Sequence, residues 1–417
     1  MRCISLRFLF FLICSPGNAQ PAIREYIQNN KVTIRTIDPA DTVFDDLETI
    51  GKAIGEKRVV LMGEQDHGDA PAFLAKTRII KYLHERKGFN VIAFESDFFA
   101  LNEGQKEITD ASTLKKFILD NIFQIWTHCD ACSDLFYSYL PARRVAGNPL
   151  IITGFDNQPH SGYSKRIYRK YLDSILTNSR YPVKDFENRK AQLLRWADTL
   201  VSGYGKKYSP SLFYENMNAF LQTLIEYHRL QYENDFNYYL LLSLKTYAEK
   251  SHTQGINSLN IRDIQMAANL DWLVNVKYRN QKIVVWAHNY HIMDKSWDAM
   301  GHNEGRHYSM GNEFLKNKKN RDQTYVLGFD SKQGKAGRLG VKKHFRVKKP
   351  EDGSIENWFG ADKFSFIDFT EYNRSVSNPE YFRMKGIYHM ANSLAQWTRC
   401  FDGIFYIRDM YPCKGLY

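Results

Sequence analysis

Seven short runs rich in β-branched and aromatic residues, separated by stretches of helical periodicity, constrain this chain more than any other feature. They occupy residues 58–62, 90–94, 150–155, 282–287, 324–329, 364–369 and 403–407. Each is long enough for one buried strand, and helical connections let successive strands lie parallel. The expected fold is therefore α/β: a central, mostly parallel sheet with crossover helices.

The helical signals agree with that expectation. Phe73, Ile80 and Leu83 recur at helical spacing between Asp69, placed to cap the start, and Gly88, placed to end it, with Pro71 suited to the first turn. A second helical pattern runs from Arg262 to Lys277 and leads into the 282–287 run. Between them, residues 164–255 break the alternation. Tyr168, Leu172 and Ile175, then Phe213, Met217, Phe220, Leu224 and Tyr227, step by threes and fours, the pattern of a long helical insertion. The catalytic core then divides into residues 20–163 and 256–417.

In open α/β sheets, ligands gather where strands end and loops converge. The residues just past the runs are therefore the candidates. Gly63-Glu64-Gln65-Asp66-His67-Gly68 follows the first run, Glu95 the second, Asp156 the third, and His288, Asn289 and His291 the fourth. A strand-end carboxylate alone is usually a cap, but acids and imidazoles at four ends of one sheet point to a site. Glycines at 63 and 68 allow the tight path that turns Glu64 and His67 inward. An imidazole beside a carboxylate can take a proton from water. The same residues can also make the first shell of a divalent metal, and sequence chemistry alone leaves both open. No G-x-S-x-G elbow and no H-E-x-x-H occurs, which disfavours a serine triad and a zincin.

Residues 1–19 form an address: Arg2 and Arg7, an apolar run from 8 to 14, then Gly17-Asn18-Ala19 for cleavage. The chain is expected to be exported, to the periplasm or beyond. The formal charge of 57 − 46 = +11 favours anionic partners, with basic segments at 316–321 and 342–349. Export argues against nucleic acid; such charge runs are usually solvated loops, and contact with anionic envelope components is the other reading. Of six cysteines, Cys3 and Cys14 leave with the address. Cys129, Cys132, Cys400 and Cys413 are then expected as two structural bridges, 129–132 with 400–413 or a crossed pairing.

The motif Gly63–Gly68, the helix segment Lys76-Thr77-Arg78, the Gly88–Glu95 block, Gly154-Phe155-Asp156, the Asn260–Asn269 helix and Val285-Trp286-Ala287-His288-Asn289-Tyr290-His291 together resemble the erythromycin esterase-like family. The likeness spans roughly residues 40 to 410. It implies ester or lactone hydrolysis of a small molecule without a metal or other cofactor, with His67 as general base, Glu64 its partner, and Glu95 and His288 completing the catalytic set. Lys76, Arg78, Asp156, Arg262 and His291 are the substrate-binding candidates it implies, His291 competing with His288. Asp66 stands where the family has Thr, and Lys76 where it has Arg. A metal-dependent hydrolase on the same cluster, or a cell-surface binding protein on this scaffold, are the rival readings.

Overall fold

The computed structural model describes residues 22–179, 181–203, 211–232, 234–300, 307–341 and 344–416. The expected export address, and Lys342 and Lys343 of the basic segment, lie outside the described residues. Eleven strands are described: β1 (Val32–Thr33), β2 (Val59–Met62), β3 (Phe89–Asp97), β4 (Ile151–Asp156), β5 (Lys282–Trp286), β6 (Thr324–Ala336), β7 (Phe345–Arg346), β8 (Phe364–Asp368), β9 (Phe382–Met384), β10 (Ser393–Ala395) and β11 (Gly403–Met410).

The main sheet has the order β1-β8-β11-β6-β2-β5-β3-β4, with β7 paired to β6. The six strands from β11 to β4 run parallel, whereas β8 is antiparallel to β11 and β1 to β8. All seven runs read from the sequence are strands of this sheet, and the class is α/β as expected. β6 is longer than its run: paired at Leu327 with the last residue of β2, it continues to Ala336 beside β11.

Alternation along the strands divides the core into two layers. Val60, Met62, Ile92, Phe94 and Trp286 face one apolar cluster, which includes Phe73, Ile80 and Leu83 of the helix Ala70–Lys87. Val59, Leu61, Val91, Ile283 and Val285 face the other, against Met266, Leu270 and Val274. Both faces are thus covered, which is why the central strands read as nearly continuous apolar runs. Helices Gly162–Asn178, Phe186–Val201, Ser211–Tyr232 and Phe236–His252 gather around a third cluster, including Tyr168, Leu172, Phe220 and Leu244.

Helix Ala70–Lys87 begins and ends where the sequence indicates, and Gly88 closes it in the left-handed region at φ 73°. Its start differs in one respect. Asp69 stands at the N-cap, but its carboxylate makes no capping bond and turns back to the preceding loop. The second pattern is a helix Gly255–Trp272 that widens into a π-turn at Leu273–Lys277 before β5.

Candidate active site

The β2 loop carries the first pair. His67 Nδ1 lies 3.3 Å from Glu64 Oε1, and Lys76 Nζ, nearly two turns into the following helix, bonds Glu64 Oε2. Lys76 is fully buried, with its ammonium 4.5 Å from the centre of the Trp286 ring. Burial pulls the Lys76 ammonium down, against the upward pull of Glu64. Its role is to hold Glu64 from below, not to meet solvent. His67 keeps 15% of its side chain exposed while Glu64 is sealed. With Nδ1 against Glu64, Nε2 has no hydrogen-bond partner among the described residues. The ring is wedged edge-on against buried Trp126 at 5.5 Å and beside His288 at 5.3 Å between centres.

The glycines that flank the motif serve close approach. A Cβ on Gly63 would lie 1.7 Å from Asn289 Oδ1, and one on Gly68 1.9 Å from the Gly337 carbonyl. Neither glycine adopts a positive φ. Asn289 in turn bonds the carbonyl of Phe329, and its backbone N–H donates to the Glu64 carbonyl at 2.8 Å. Two side chains inside the motif brace it further. Gln65 bonds Asp330, Ser331 and the Lys385 carbonyl, and Asp69 accepts from the Asp66 N–H and pairs with His389, whose other ring nitrogen meets Ser331. The loop is held at both ends by β6 and the segment after β9.

The second half of the site lies past β3, β4 and β5. Glu95 falls where the β3 register shifts, between Phe94 and Asp97, so its carboxylate leaves the ladder and turns toward β5. It accepts the His288 backbone N–H at 3.1 Å and Arg262 Nη2 at 2.7 Å. Arg262 also forks onto Asp156, at 2.7 and 3.2 Å. Burial alone would raise the Glu95 carboxyl, but His291 and Arg262 hold it well below the ordinary range.

His288 and His291 differ sharply. The Tyr290 N–H donates to His288 Nδ1 at 3.0 Å, so Nε2 carries the proton and donates to the Gln65 carbonyl at 2.8 Å. Burial first, then the charges of His67 and His291, keeps His288 neutral, well below the usual imidazole range. His291 meets Asp263 at 2.6 Å on Nδ1 and Glu95 at 3.2 Å on Nε2. Arg262 Nη1 also lies 3.2 Å from that Nε2, a contact that suits only a neutral ring. Burial opposes the charge, but the two carboxylates outweigh it and raise His291 to about 10, so we read it as an imidazolium.

Of the nine residues singled out in the sequence, eight meet here and one does not. Arg78 lies on the opposite side of its helix, where it forks onto Asp46 at 2.7 and 3.0 Å and bonds the carbonyls of Thr36, Asp41 and Val43. It fastens the N-terminal segment to the core and makes no hydrogen bond or ion pair with the other eight residues. The sequence reading missed Asp263, which stands next to Arg262 in the chain; that adjacency was the only signal. It also missed Trp126 and the Gln65 and Asp69 braces. Asp66, the departure from the family motif, bonds Arg338 and the His67 N–H, while Tyr388 lies over His288 at 5.4 Å between ring centres.

The cysteines follow the expectation in part. Cys129 and Cys413 are bridged across 284 residues, whereas Cys132 and Cys400 are buried thiols, so one bridge forms in place of two. Burial first, with Glu64 adding to it, keeps the Cys132 thiol well above its usual range and protonated. The bridge fixes the last strand of chain behind the site: Cys413 N–H donates to the Gly68 carbonyl at 2.9 Å, and Ala70 N–H to the Tyr411 carbonyl at 3.2 Å. Among the described residues, the one group of three metal-ligating side chains with ligand atoms within 4.8 Å of one another is Cys129, Asp130 and Cys413, whose sulfurs are already joined.

This arrangement has counterparts. The chain is 28% identical to "Putative hydrolase YbfO" of Bacillus subtilis over 366 residues, covering 80% of this chain and 79% of that one. It is 22% identical to an erythromycin esterase type II of Escherichia coli, covering 94% and 99%. The solved structure of the erythromycin esterase EreC in its open conformation superposes with a TM-score of 0.65 at 17% identity, over 93% of this chain and 99% of that one, which shows a shared fold. Relatives and family together mark a hydrolase. Residues 84–410, well over half of the sequence, match the family model described as erythromycin esterase, and the chain belongs to that family.

Proposed function

We propose that this protein is an exported, metal-independent hydrolase of carboxylic esters or lactones, in which His67 activates water. The observation that carries the reading is the asymmetry of the His67 ring: Nδ1 is taken by Glu64, Nε2 has no hydrogen-bond partner among the described residues, and the side chain remains partly open. A carboxylate on Nδ1 fixes the tautomer that leaves Nε2 as the base and stabilises the imidazolium formed when it takes a proton.

The surrounding charges are paired with one another. Lys76 balances Glu64, while beneath His288 the two cations Arg262 and His291 face three carboxylates, Glu95, Asp156 and Asp263. These groups are buried, which leaves His67 the most exposed of the three imidazoles. Attack by the water would place an oxyanion on the substrate carbonyl, and His67 would return its proton to the leaving alkoxide. The relatives' names favour a small-molecule substrate, and the acyl and alcohol portions are set by the mouth around Asp66, Arg338 and Tyr388.

The test is turnover of a panel of aryl esters, alkyl esters and macrocyclic and small lactones by wild type, by His67→Ala and by wild type after chelation. Turnover that survives chelation and disappears in His67→Ala with the fold intact supports the proposal. Turnover that chelation abolishes and a divalent ion restores replaces it with a metal-dependent hydrolase. No turnover of any ester or lactone leaves a binding protein.

A further inference from the structure

β6 and β11 run on past the level at which β2 ends, and β7 folds back on β6 with Lys335 opposite Arg346. A groove of about 500 Å³ lies along this extension. It is lined by four cations, Lys332, Lys335, Arg346 and Lys349. Among the described residues none of the four has a carboxylate within 4.0 Å, and the nearby Glu351 is already paired with Lys348 and Arg383. The acid lining the groove, Asp409, accepts Arg408 Nε at 2.8 Å and Gln333 Nε2 at 2.7 Å. Four cations against one carboxylate line the groove, and such an excess of positive charge raises the local concentration of anions.

The other lining groups narrow the choice of anion. Gln333 gives one amide N–H to Asp409 and Asn357 one to the Glu351 carbonyl, which leaves each side chain a second N–H and a carbonyl, the donor and acceptor pair that hydroxyl groups match. Among the described residues no aromatic ring lines the groove, so they offer no stacking platform for nucleic-acid bases. Nor is a concave surface suited to lie flat on a lipid headgroup layer. Ammonium and guanidinium groups interleaved with open carbonyls match a sugar chain that carries both acid groups and hydroxyls.

We propose that this groove is a docking site for an anionic oligosaccharide. It sits beside the mouth of the His67 site, because Lys335 is three residues from Arg338, roughly 10 Å of extended chain, and Arg338 bonds Asp66. Binding at the groove stands apart from the hydrolytic reading: it requires neither turnover nor His67.

The experiment is calorimetric titration of the whole protein with hexagalacturonate at low ionic strength. Maltohexaose is the uncharged comparator; phosphatidylglycerol vesicles and a single-stranded oligonucleotide are the rival polyanions. A groove variant carries Lys332→Gln, Lys335→Gln, Arg346→Gln and Lys349→Gln. A control variant makes the same charge change at the exposed Lys115, Lys116, Lys318 and Lys319. Circular dichroism verifies both folds. Saturable hexagalacturonate binding is expected in wild type and in His67→Ala, with none for maltohexaose. The groove variant, or raising salt from about 50 to 200 mM, is expected to weaken it at least tenfold, and the control variant less than twofold. No binding of hexagalacturonate, binding that survives in the groove variant, an equal loss in the control variant, or tighter binding of vesicles or oligonucleotide would each overturn the proposal.

Discussion

The loop after β2 and the loop after β5 use the same chemical parts for opposite ends. Each places an imidazole against a carboxylate, His67 on Glu64 and His291 on Asp263. On the β2 side one ring nitrogen is bonded and the other is left open at the surface. On the β5 side both nitrogens are occupied, the ring is buried, and its proton is locked in place by two carboxylates. A histidine becomes a base by having one partner too few, and a strut by having enough. His288, between them, is a third case: neutral, with both nitrogens given to backbone groups.

That contrast can be broken experimentally. The largest effect is expected for His67→Ala, a fall in kcat of about a thousandfold or more with little change in thermal stability. A comparable fall in His291→Ala at unchanged stability would erase the distinction. Next comes Arg262→Ala, which removes the only cation bonded to buried Asp156 among the described residues and leaves Glu95 with His291 alone. Urea unfolding should register a loss of about 3–5 kcal/mol.

The third test uses pH. Because His291 in the folded protein titrates near about 10, above its ordinary 6.5, its protonation stabilises the fold fully below pH 6.5. That contribution is lost as pH rises toward 10. In Asp263→Asn the folded value falls, so the stability difference between wild type and variant should be at least about 1 kcal/mol near pH 6.5 and should shrink by pH 10. A difference that is constant with pH would mean the ring is not charged. The smallest effect is expected for Arg338→Ala, whose side chain is 47% exposed; its pairing with Asp66 should contribute less than about 1 kcal/mol.

How far the sequence could be read follows from the range of the interactions. The strands were legible because burial on both faces leaves an apolar record in consecutive residues, and the site was legible because acids and imidazoles stand directly after those records. Arg78 was misread although the information was present. Two residues along a helix turn the chain by roughly 200°, so Lys76 and Arg78 cannot both face Glu64. His288 is different in kind: its partners are the backbone groups of Tyr290 and Gln65, which leave no trace in residue identity. The brace from Asp69 to His389 spans 320 residues and likewise has no local signature. The cysteine count indicated oxidation but not which thiols would meet, since pairing depends on where the segment after β11 comes to rest.

That resting place has a consequence for biosynthesis. Gly68 and Ala70 receive their backbone partners from Cys413 and Tyr411, and the cysteines that fasten this contact leave the ribosome 284 residues apart. The nascent chain therefore carries the His67 loop long before it carries the segment that steadies it. A premature stop shortly before 411 would be felt at the His67 loop and not merely at the periphery.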